Sequence, residues 1–165
     1  MSCAYIALGS NLGEPQQQVM QALQDIDALS GCSVQTTSPL YASKAIGPGS
    51  QPDYVNAVTQ INTTLAPHAL LSSLQAIEGS HGRRRDVRWG ARTLDLDLLL
   101  YDAITLQTEE LEIPHPRLQD RNFVLYPLHD ISPTLTLPCG TSIASLLARC
   151  PRGSMRVLTG GKGAA

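Results

Sequence analysis

The chain has little charge, few aromatic rings and no long apolar run. Only 16% of its 165 residues are charged, and the formal net charge is −2. Because there is no global positive field, we expect neither nucleic acid nor a membrane as a partner. No apolar stretch approaches the roughly 18 residues that a membrane-spanning helix requires. An apolar fraction of 42% is still enough to build the core of one domain.

Four cysteines are too few for a disulfide scaffold, and none forms a Cys-x-x-Cys pair of the kind that binds zinc. We interpret them as reduced thiols. The start of the chain has no basic segment before its apolar stretch, which favours a first strand over a signal peptide. The sequence therefore predicts a cytoplasmic protein. It also lacks a P-loop and the motifs of protein kinases, so a nucleotide site would need other groups.

Turn residues divide the chain into short periodic segments. The predicted strands are residues 4–8, 32–41, 54–63 and 93–101. A glycine turn begins at Gly9, and Pro15 and Pro67 open two amphipathic helices at the position where proline is tolerated. The order strand, helix, strand, strand, helix, strand predicts an α+β, ferredoxin-like split βαβ sandwich with C-terminal additions. Its antiparallel sheet would carry both helices on one face and leave the other face open.

We expect residues 1–165 to form a single domain, with a flexible glycine-rich tail after about residue 160. The longest predicted connections are residues 42–53 and 79–92. Loops of this length in a compact domain are often functional lids.

Two carboxylates stand inside the most apolar strand, Arg-Thr-Leu-Asp-Leu-Asp-Leu-Leu-Leu at 92–100. Residues two apart in a strand share a face, so Asp95 and Asp97 project side by side. The residues expected in the core opposite are Leu94, Leu96, Leu98 and Leu100. Paired carboxylates favour a cation between them, and Mg²⁺ prefers such oxygen ligands. The alternative is a solvated sheet face, although Asp is uncommon in strands.

Five arginines lie just before this strand, at positions 83, 84, 85, 88 and 92. Guanidinium groups bind phosphate in bidentate fashion and keep their charge. A carboxylate pair beside an arginine cluster is typical of phosphoryl transfer. By itself, such a cluster is more often a solvated surface loop. A nucleic-acid patch is the other alternative, but the low overall charge and the scarcity of aromatic residues disfavour it.

A third set of residues could hold a flat heterocycle. Trp89, the only tryptophan, lies in the arginine segment, and Phe123 is the only phenylalanine. Tyr54 and Asn56 share one face of a predicted strand. Aromatic rings can stack on a planar ring, and an amide can read its hydrogen-bonding edge. From the residues alone, packing in the core is the favoured interpretation for each aromatic residue except Trp89.

Together these segments resemble the hydroxymethyl-dihydropterin pyrophosphokinase family. The matching blocks are residues 4–13, 51–57, 88–97, 113–117 and 120–123, in the family's order. The most specific is Arg-Trp-Gly-Ala-Arg-Thr-Leu-Asp-Leu-Asp at 88–97. The resemblance spans roughly residues 4–137. It implies an enzyme of folate biosynthesis that transfers diphosphate from ATP to a pterin alcohol and releases AMP.

The resemblance also implies a set of site residues. Those with a catalytic role are Arg83, Arg92, Asp95 and Asp97, and the two aspartates would hold two Mg²⁺ ions. Those around ATP are Gln75, Glu78, Arg83, Arg85, Arg92, His115 and Arg121. Those around the pterin are Ser43, Ile46, Tyr54, Asn56, Trp89 and Phe123. The two long loops would close over the nucleotide, and we expect a monomer.

Two rival functions remain open at this level. A ferredoxin-like domain could bind nucleotide or RNA without chemistry, although an RNA platform would carry aromatic and basic residues where the carboxylates stand. A metal-dependent phosphate-ester hydrolase would use the same carboxylates and arginines. Asp97 is the nearest candidate for a general base, but a carboxylate bound to metal is a weak base.

Overall fold

A computed structural model of the chain describes residues 1–11, 14–44, 53–81 and 94–158. The strands are β1 Ser2–Ser10, β2 Cys32–Thr37, β3 Tyr41–Ser43, β4 Tyr54–Thr63, β5 Asp95–Tyr101, β6 Leu106–Gln107, β7 Glu112–Ile113 and β8 Arg156–Val157. The α-helices are α1 Pro15–Asp27, α2 Pro67–Ser80, α3 Asn122–Ile131 and α4 Ile143–Ala148, with one 3₁₀ turn at Leu118–Asp120. None of the described helices combines the length and apolar character needed to cross a bilayer.

The main sheet is antiparallel, and its strand order is β5-β1-β4-β3-β8, with β2 also paired to β4. This order places the first strand between the third and fourth strands of the predicted pattern. Helices α1 and α2 both begin with proline at the first position, as expected. The ferredoxin-like α+β prediction is therefore confirmed. Strand β1 is longer than predicted, because Gly9 and Ser10 pair with β4 instead of beginning the turn.

Helices α1 and α2 bury one face of the sheet. Their inward side chains meet Ile6 and Leu8 of β1 and Leu96 of β5 in a continuous apolar cluster. The inward helical residues are Val19, Ala22 and Ile26 of α1 and Leu70, Leu74 and Ile77 of α2. Burial of these side chains stabilises the layer by roughly 1.5 to 3 kcal/mol for each large aliphatic residue.

The opposite face is only partly open, which corrects the expectation of a free face. Helices α3 and α4 pack over the end of it that holds Tyr5 and Leu99. Leu118, Val124, Leu125 and Leu128 fill this second cluster. Among the described residues, the C-terminal additions thus limit the open part of the face to the end where β1 finishes and β5 begins.

One residue of β5 faces the side opposite to the one predicted. Leu94, Leu96 and Leu98 lie in the cluster under α1 and α2, as expected, but Leu100 lies in the cluster under α3. The cause is an irregularity in the β1–β5 register between Tyr5 and Ile6, which places Leu100 opposite Tyr5. An extra residue in one strand reverses the alternation beyond it.

The two loops and the tail fall largely outside the described residues. Of residues 42–53, Ala42 and Ser43 lie in β3. Of residues 79–92, Gly79 and Ser80 form the end of α2. The predictions of loop closure and of a flexible tail concern residues outside the described ranges, and they stay predictions.

Candidate active site

A row of residues crosses the open end of the sheet. Asp95 of β5 pairs with Gly9 of β1, Gly9 pairs with Asn56 of β4, and Asn56 pairs with Tyr41 of β3. Residues directly opposite one another in antiparallel strands project to the same face. The row therefore brings a carboxylate and an amide within reach of one ligand, across a glycine that has no side chain.

The two carboxylates of β5 lie on this face. Asp97 pairs with Ala7 two residues further along the strand, and its side chain is 41% exposed. Asp95 is half-buried, while the intervening Leu96 is buried in the opposite cluster. The structure thus places Asp95 and Asp97 on one accessible face, as the alternation predicted. Two carboxylates of this kind fit a hard divalent cation that completes its shell with phosphate and water.

Arg121 lies next to this pair, immediately before α3. Its Nη1 is 4.0 Å from Oδ2 of Asp97, and its guanidinium carbon is 5.5 Å from the centroid of the Phe123 ring. Phe123 is partly buried and packs against the cluster beneath α3. The start of α3 therefore brings a fixed positive charge and an aromatic ring to the edge of the carboxylate site.

His115 reaches the same place from the segment after β7. Its backbone N–H donates to the carbonyl of Leu99 at 2.9 Å, which docks the segment on β5. Its Nδ1 accepts the backbone N–H of Arg117 at 3.1 Å. Burial lowers the pKa of His115, and the positive charges of Arg121 and Arg117 lower it further, against the opposing effect of Asp97. The neutral ring then carries its proton on Nε2, where it can donate to a phosphate oxygen.

Glu78 occupies an unexpected position for a predicted ATP contact. Its side chain is buried near the end of α2, with 4% exposure. Its Oε2 accepts the backbone N–H of Leu96 at 2.7 Å. Gln75, one turn earlier on α2, is exposed. The structure thus attaches Glu78 to the strand that carries the carboxylates.

Besides Phe123 of α3, the predicted pterin residues within the described ranges lie around the outer end of β4. Asn56 is buried, Tyr54 is half-buried, and Ser43 pairs with Tyr54 across β3 and β4. A Cβ atom added to Gly9 would lie 2.7 Å from Nδ2 of Asn56. Gly9 therefore has a structural role at the site that the sequence pattern did not predict, because a glycine followed by polar residues is typical of a turn. Extending the predicted strand β1 through Gly9 would have indicated this role.

Several candidate residues lie outside the described part of the chain. These are Ile46, Arg83, Arg84, Arg85, Arg88, Trp89 and Arg92. The residues that the structure does bring together at the end of β5 are Asp95, Asp97, Glu78, His115, Arg121 and Phe123.

Residues 5–133 match the model of the family described as 7,8-dihydro-6-hydroxymethylpterin-pyrophosphokinase (HPPK). The chain belongs to this family. An HPPK relative from Pseudomonas aeruginosa, named 2-amino-4-hydroxy-6-hydroxymethyldihydropteridine pyrophosphokinase, is 49% identical over 94% of this chain and 96% of its own length. A protein of the same name from Haemophilus influenzae is 51% identical over 89% of this chain and 92% of its own length.

Solved structures agree with the fold of the HPPK family. A Plasmodium falciparum HPPK-DHPS structure matches 90% of this chain with a TM-score of 0.68 and 14% identity. A second HPPK-DHPS structure, determined in complex with substrates, matches with a TM-score of 0.70 and 12% identity. This chain spans 42% and 45% of those two longer chains. At such low identity the likeness concerns the fold.

Proposed function

We propose that this HPPK family member transfers diphosphate from ATP to the hydroxymethyl group of 6-hydroxymethyl-7,8-dihydropterin. The products are the pterin diphosphate and AMP. The observation that carries the proposal is the accessible pair Asp95 and Asp97 beside the guanidinium of Arg121. Relatives of nearly the same length, at 49% and 51% identity, carry the name of this activity.

Asp95 and Asp97 are the residues that would hold magnesium, and we propose two ions. Bound Mg²⁺ would neutralise the charge of the triphosphate and orient its oxygens. The chemistry of the donors supports this assignment, because both are carboxylates on one face and one is 41% exposed. A Mg²⁺ site commonly uses one or two carboxylates and takes its remaining ligands from phosphate and water.

ATP would lie along the outer side of β5, where cationic and N–H donors converge. Arg121 and the Nε2–H of neutral His115 would donate to phosphate oxygens, which is supported by the closeness of Arg121 to Asp97 and by the lowered pKa of His115. Gln75, exposed on α2, would contact the nucleotide. The resemblance implies the same role for Arg83, Arg85 and Arg92, and it adds a catalytic role for Arg83 and Arg92 in stabilising charge on the transferring group.

The pterin would lie over the end of β4 and the start of α3. Asn56, buried beside Gly9, would read the hydrogen-bonding edge of the heterocycle. The ring of Phe123 would stack on it, with Tyr54 at its rim. The resemblance adds Trp89 on the opposite side and the backbone of Ser43 and Ile46. A pterin held there would present its hydroxymethyl group toward the carboxylates of β5.

The reaction would form a bond between the pterin hydroxyl oxygen and the β-phosphorus of ATP. The bond between that phosphorus and the α–β bridging oxygen breaks, and the bridging oxygen leaves with AMP. The hydroxyl proton departs to solvent or to a carboxylate, and Asp97 is the nearest candidate. Positioning and stabilisation of charge supply most of the catalysis in such transfers.

The experiment that tests the proposal is product analysis with ATP labelled at its terminal phosphate. Incubation with Mg²⁺ and the pterin alcohol should give AMP and labelled pterin diphosphate in equal amounts. Release of ADP would instead indicate transfer of a single phosphate. Release of inorganic phosphate without pterin product would indicate a hydrolase. Binding of ATP without turnover would favour a nucleotide-binding module.

The setting of the reaction is part of the same proposal. We propose a monomer that works in the cytoplasm on two small-molecule substrates, without nucleic acid or membrane partners. The low overall charge supports this, since it supplies no broad field for a polyanion.

A further inference from the structure

We propose that Glu78 is a positioning residue that fixes the backbone of β5 between Asp95 and Asp97, instead of a direct contact to ATP. Its Oε2 accepts the N–H of Leu96 at 2.7 Å, and this bond is buried. Leu96 is the residue between the two aspartates. The inference rests on the proposed function, because it takes Asp95 and Asp97 as the metal ligands.

The bond provides an acceptor for a backbone N–H on the side of β5 that faces away from β1. Among the described strands of the main sheet, β5 pairs with β1 alone. An edge strand leaves a row of N–H and C=O groups without strand partners, and a buried group of this kind must find another partner. Because the N–H of Leu96 donates to Glu78, it points away from β1. The carboxylate thus takes the place that a neighbouring strand would occupy.

Fixing this one amide group fixes both aspartates. The peptide plane that contains the N–H of Leu96 also contains the carbonyl group of Asp95. On the other side, Gly9 and Ala7 of β1 pair with Asp95 and Asp97. The segment is therefore held from both sides, and the separation of the two side chains depends on Glu78 as well as on β1. Groups that orient metal ligands in this way commonly change metal affinity 10- to 100-fold when they are removed.

The position of Glu78 in its helix also favours this role. It is the third residue from the end of α2, which ends at Ser80, and its side chain is buried. A carboxylate near the carboxyl end of a helix faces the negative end of the helix dipole. Helix stability therefore gives no reason for a glutamate there, whereas the acceptor that Leu96 needs does.

Substitutions at Glu78 can separate its reach from its charge. Glu78→Gln keeps an acceptor oxygen at the same distance and removes the charge. Glu78→Asp keeps the charge and shortens the side chain by one methylene group. Glu78→Ala removes both properties. A positioning role requires the reach, so we expect the Gln variant to behave like the wild type and the Asp and Ala variants to fail.

Ser38→Ala provides a matched structural control. The Oγ of Ser38 accepts the backbone N–H of Val58 at 3.0 Å, which is another buried bond from a side chain to a strand. Ser38 is fully buried and is not among the residues assigned to either substrate. Its loss should destabilise the sheet in a comparable way without acting on β5.

The measurement is equilibrium binding of Mn²⁺, as a probe for Mg²⁺, in the presence of an unreactive ATP analogue. We expect Glu78→Asp and Glu78→Ala to weaken Mn²⁺ binding roughly tenfold or more. Glu78→Gln and Ser38→Ala should stay within about twofold of the wild type. Hydrogen exchange of the Leu96 amide should accelerate in the Asp and Ala variants and stay slow in the Gln variant.

Three results would overturn the inference. The first is normal Mn²⁺ binding by the Asp variant together with weak binding by the Gln variant, which would show that charge matters and reach does not. The second is Mn²⁺ binding of wild-type strength by both the Asp and the Gln variants. The third is a tenfold weaker affinity of the Gln and Ala variants for the ATP analogue when no metal ion is present. That result would make Glu78 a nucleotide contact. If Glu78→Ala does not fold, the comparison of Gln with Asp still decides. A wild-type protein that binds no Mn²⁺ would instead refute the proposed metal site, and the inference with it.

Discussion

Replacing Gly9 by alanine should weaken pterin binding while leaving the fold intact. The added Cβ would lie 2.7 Å from Nδ2 of Asn56, whereas ordinary contact begins at 3.4 Å. The amide must therefore retreat by about 0.7 Å. The backbone cannot absorb this shift, because Asn56 pairs with β1 on one side and β3 on the other. The side chain of Asn56 has to rotate instead.

The magnitude follows from hydrogen-bond geometry. N–H···O bonds span only about 2.7 to 3.2 Å, so a displaced amide cannot keep its bonds to a rigid heterocycle. A buried group left without its partner costs about 1 to 3 kcal/mol. This corresponds to a loss of pterin affinity of roughly 5- to 150-fold. The φ angle of Gly9 lies outside the left-handed region, so alanine adds no backbone strain.

The assay is isothermal titration calorimetry, in which the pterin alcohol is titrated into the protein loaded with Mg²⁺ and an unreactive ATP analogue. Thermal unfolding and affinity for the analogue should be unchanged. An Asn56→Ala background tests the mechanism, because Gly9→Ala should then have no further effect. If Gly9→Ala weakens pterin binding equally with and without the Asn56 amide, the clash with Asn56 is not the cause. Unchanged pterin affinity in the single variant would refute the reasoning altogether.

Three further predictions concern the metal site, strand β3 and helix α2. Asp97→Asn and Asp95→Asn should each reduce turnover by several orders of magnitude and weaken Mn²⁺ binding, because metal charge neutralisation supplies several kcal/mol; near-normal values for both would remove the metal assignment. Tyr41 is buried and donates a hydrogen bond to Asp130, and the pKa of its hydroxyl is raised above 10.0 by burial and by that bond. Because the native state holds this proton more tightly, its stabilisation is complete below pH 10 and falls as the pH rises further. Tyr41→Phe should lower the free energy of unfolding, measured with urea at pH 8, by about 1 kcal/mol. Above pH 10 the free energy of unfolding of the variant should fall less than that of the wild type; parallel curves of this free energy against pH would contradict the prediction. Gly79→Ala should raise the free energy of unfolding by about 0.5 to 1 kcal/mol, because a Cβ there meets no atom of the described residues within 4 Å, the backbone of its own helix apart, and alanine favours helix; a lower unfolding temperature would contradict it.

The local patterns of the sequence predicted much of the fold. Pro15 and Pro67 correctly marked the starts of α1 and α2. The alternation in β5 correctly placed Asp95 and Asp97 on one face with Leu94, Leu96 and Leu98 opposite. These signals are readable because they depend on neighbours within a few residues. The order of the elements then restricted the topology to the split βαβ arrangement.

Where prediction failed, the cause was pairing between distant segments. Leu100 lies on the unexpected face because of the register irregularity opposite Tyr5, and α3 and α4 cover part of a face that the first six elements leave open. Neither feature has a local signature, since both depend on where another part of the chain docks. Gly9 was assigned to a turn for the same reason. Glycine is common in turns, and only the pairing with β4 and β5 shows that the strand continues through it.

The sequence by itself determined the type of chemistry, through a carboxylate pair at strand spacing and an ordered set of motifs along most of the chain. Tertiary structure decided what each group can touch. It placed Arg121 4.0 Å from Asp97, and it showed that Glu78, predicted as a nucleotide contact, accepts the N–H of Leu96. Local spacing fixes the direction of a side chain relative to its own strand or helix. The partner of a buried carboxylate depends on how a helix packs against an edge strand 18 residues away, which only the assembled fold specifies.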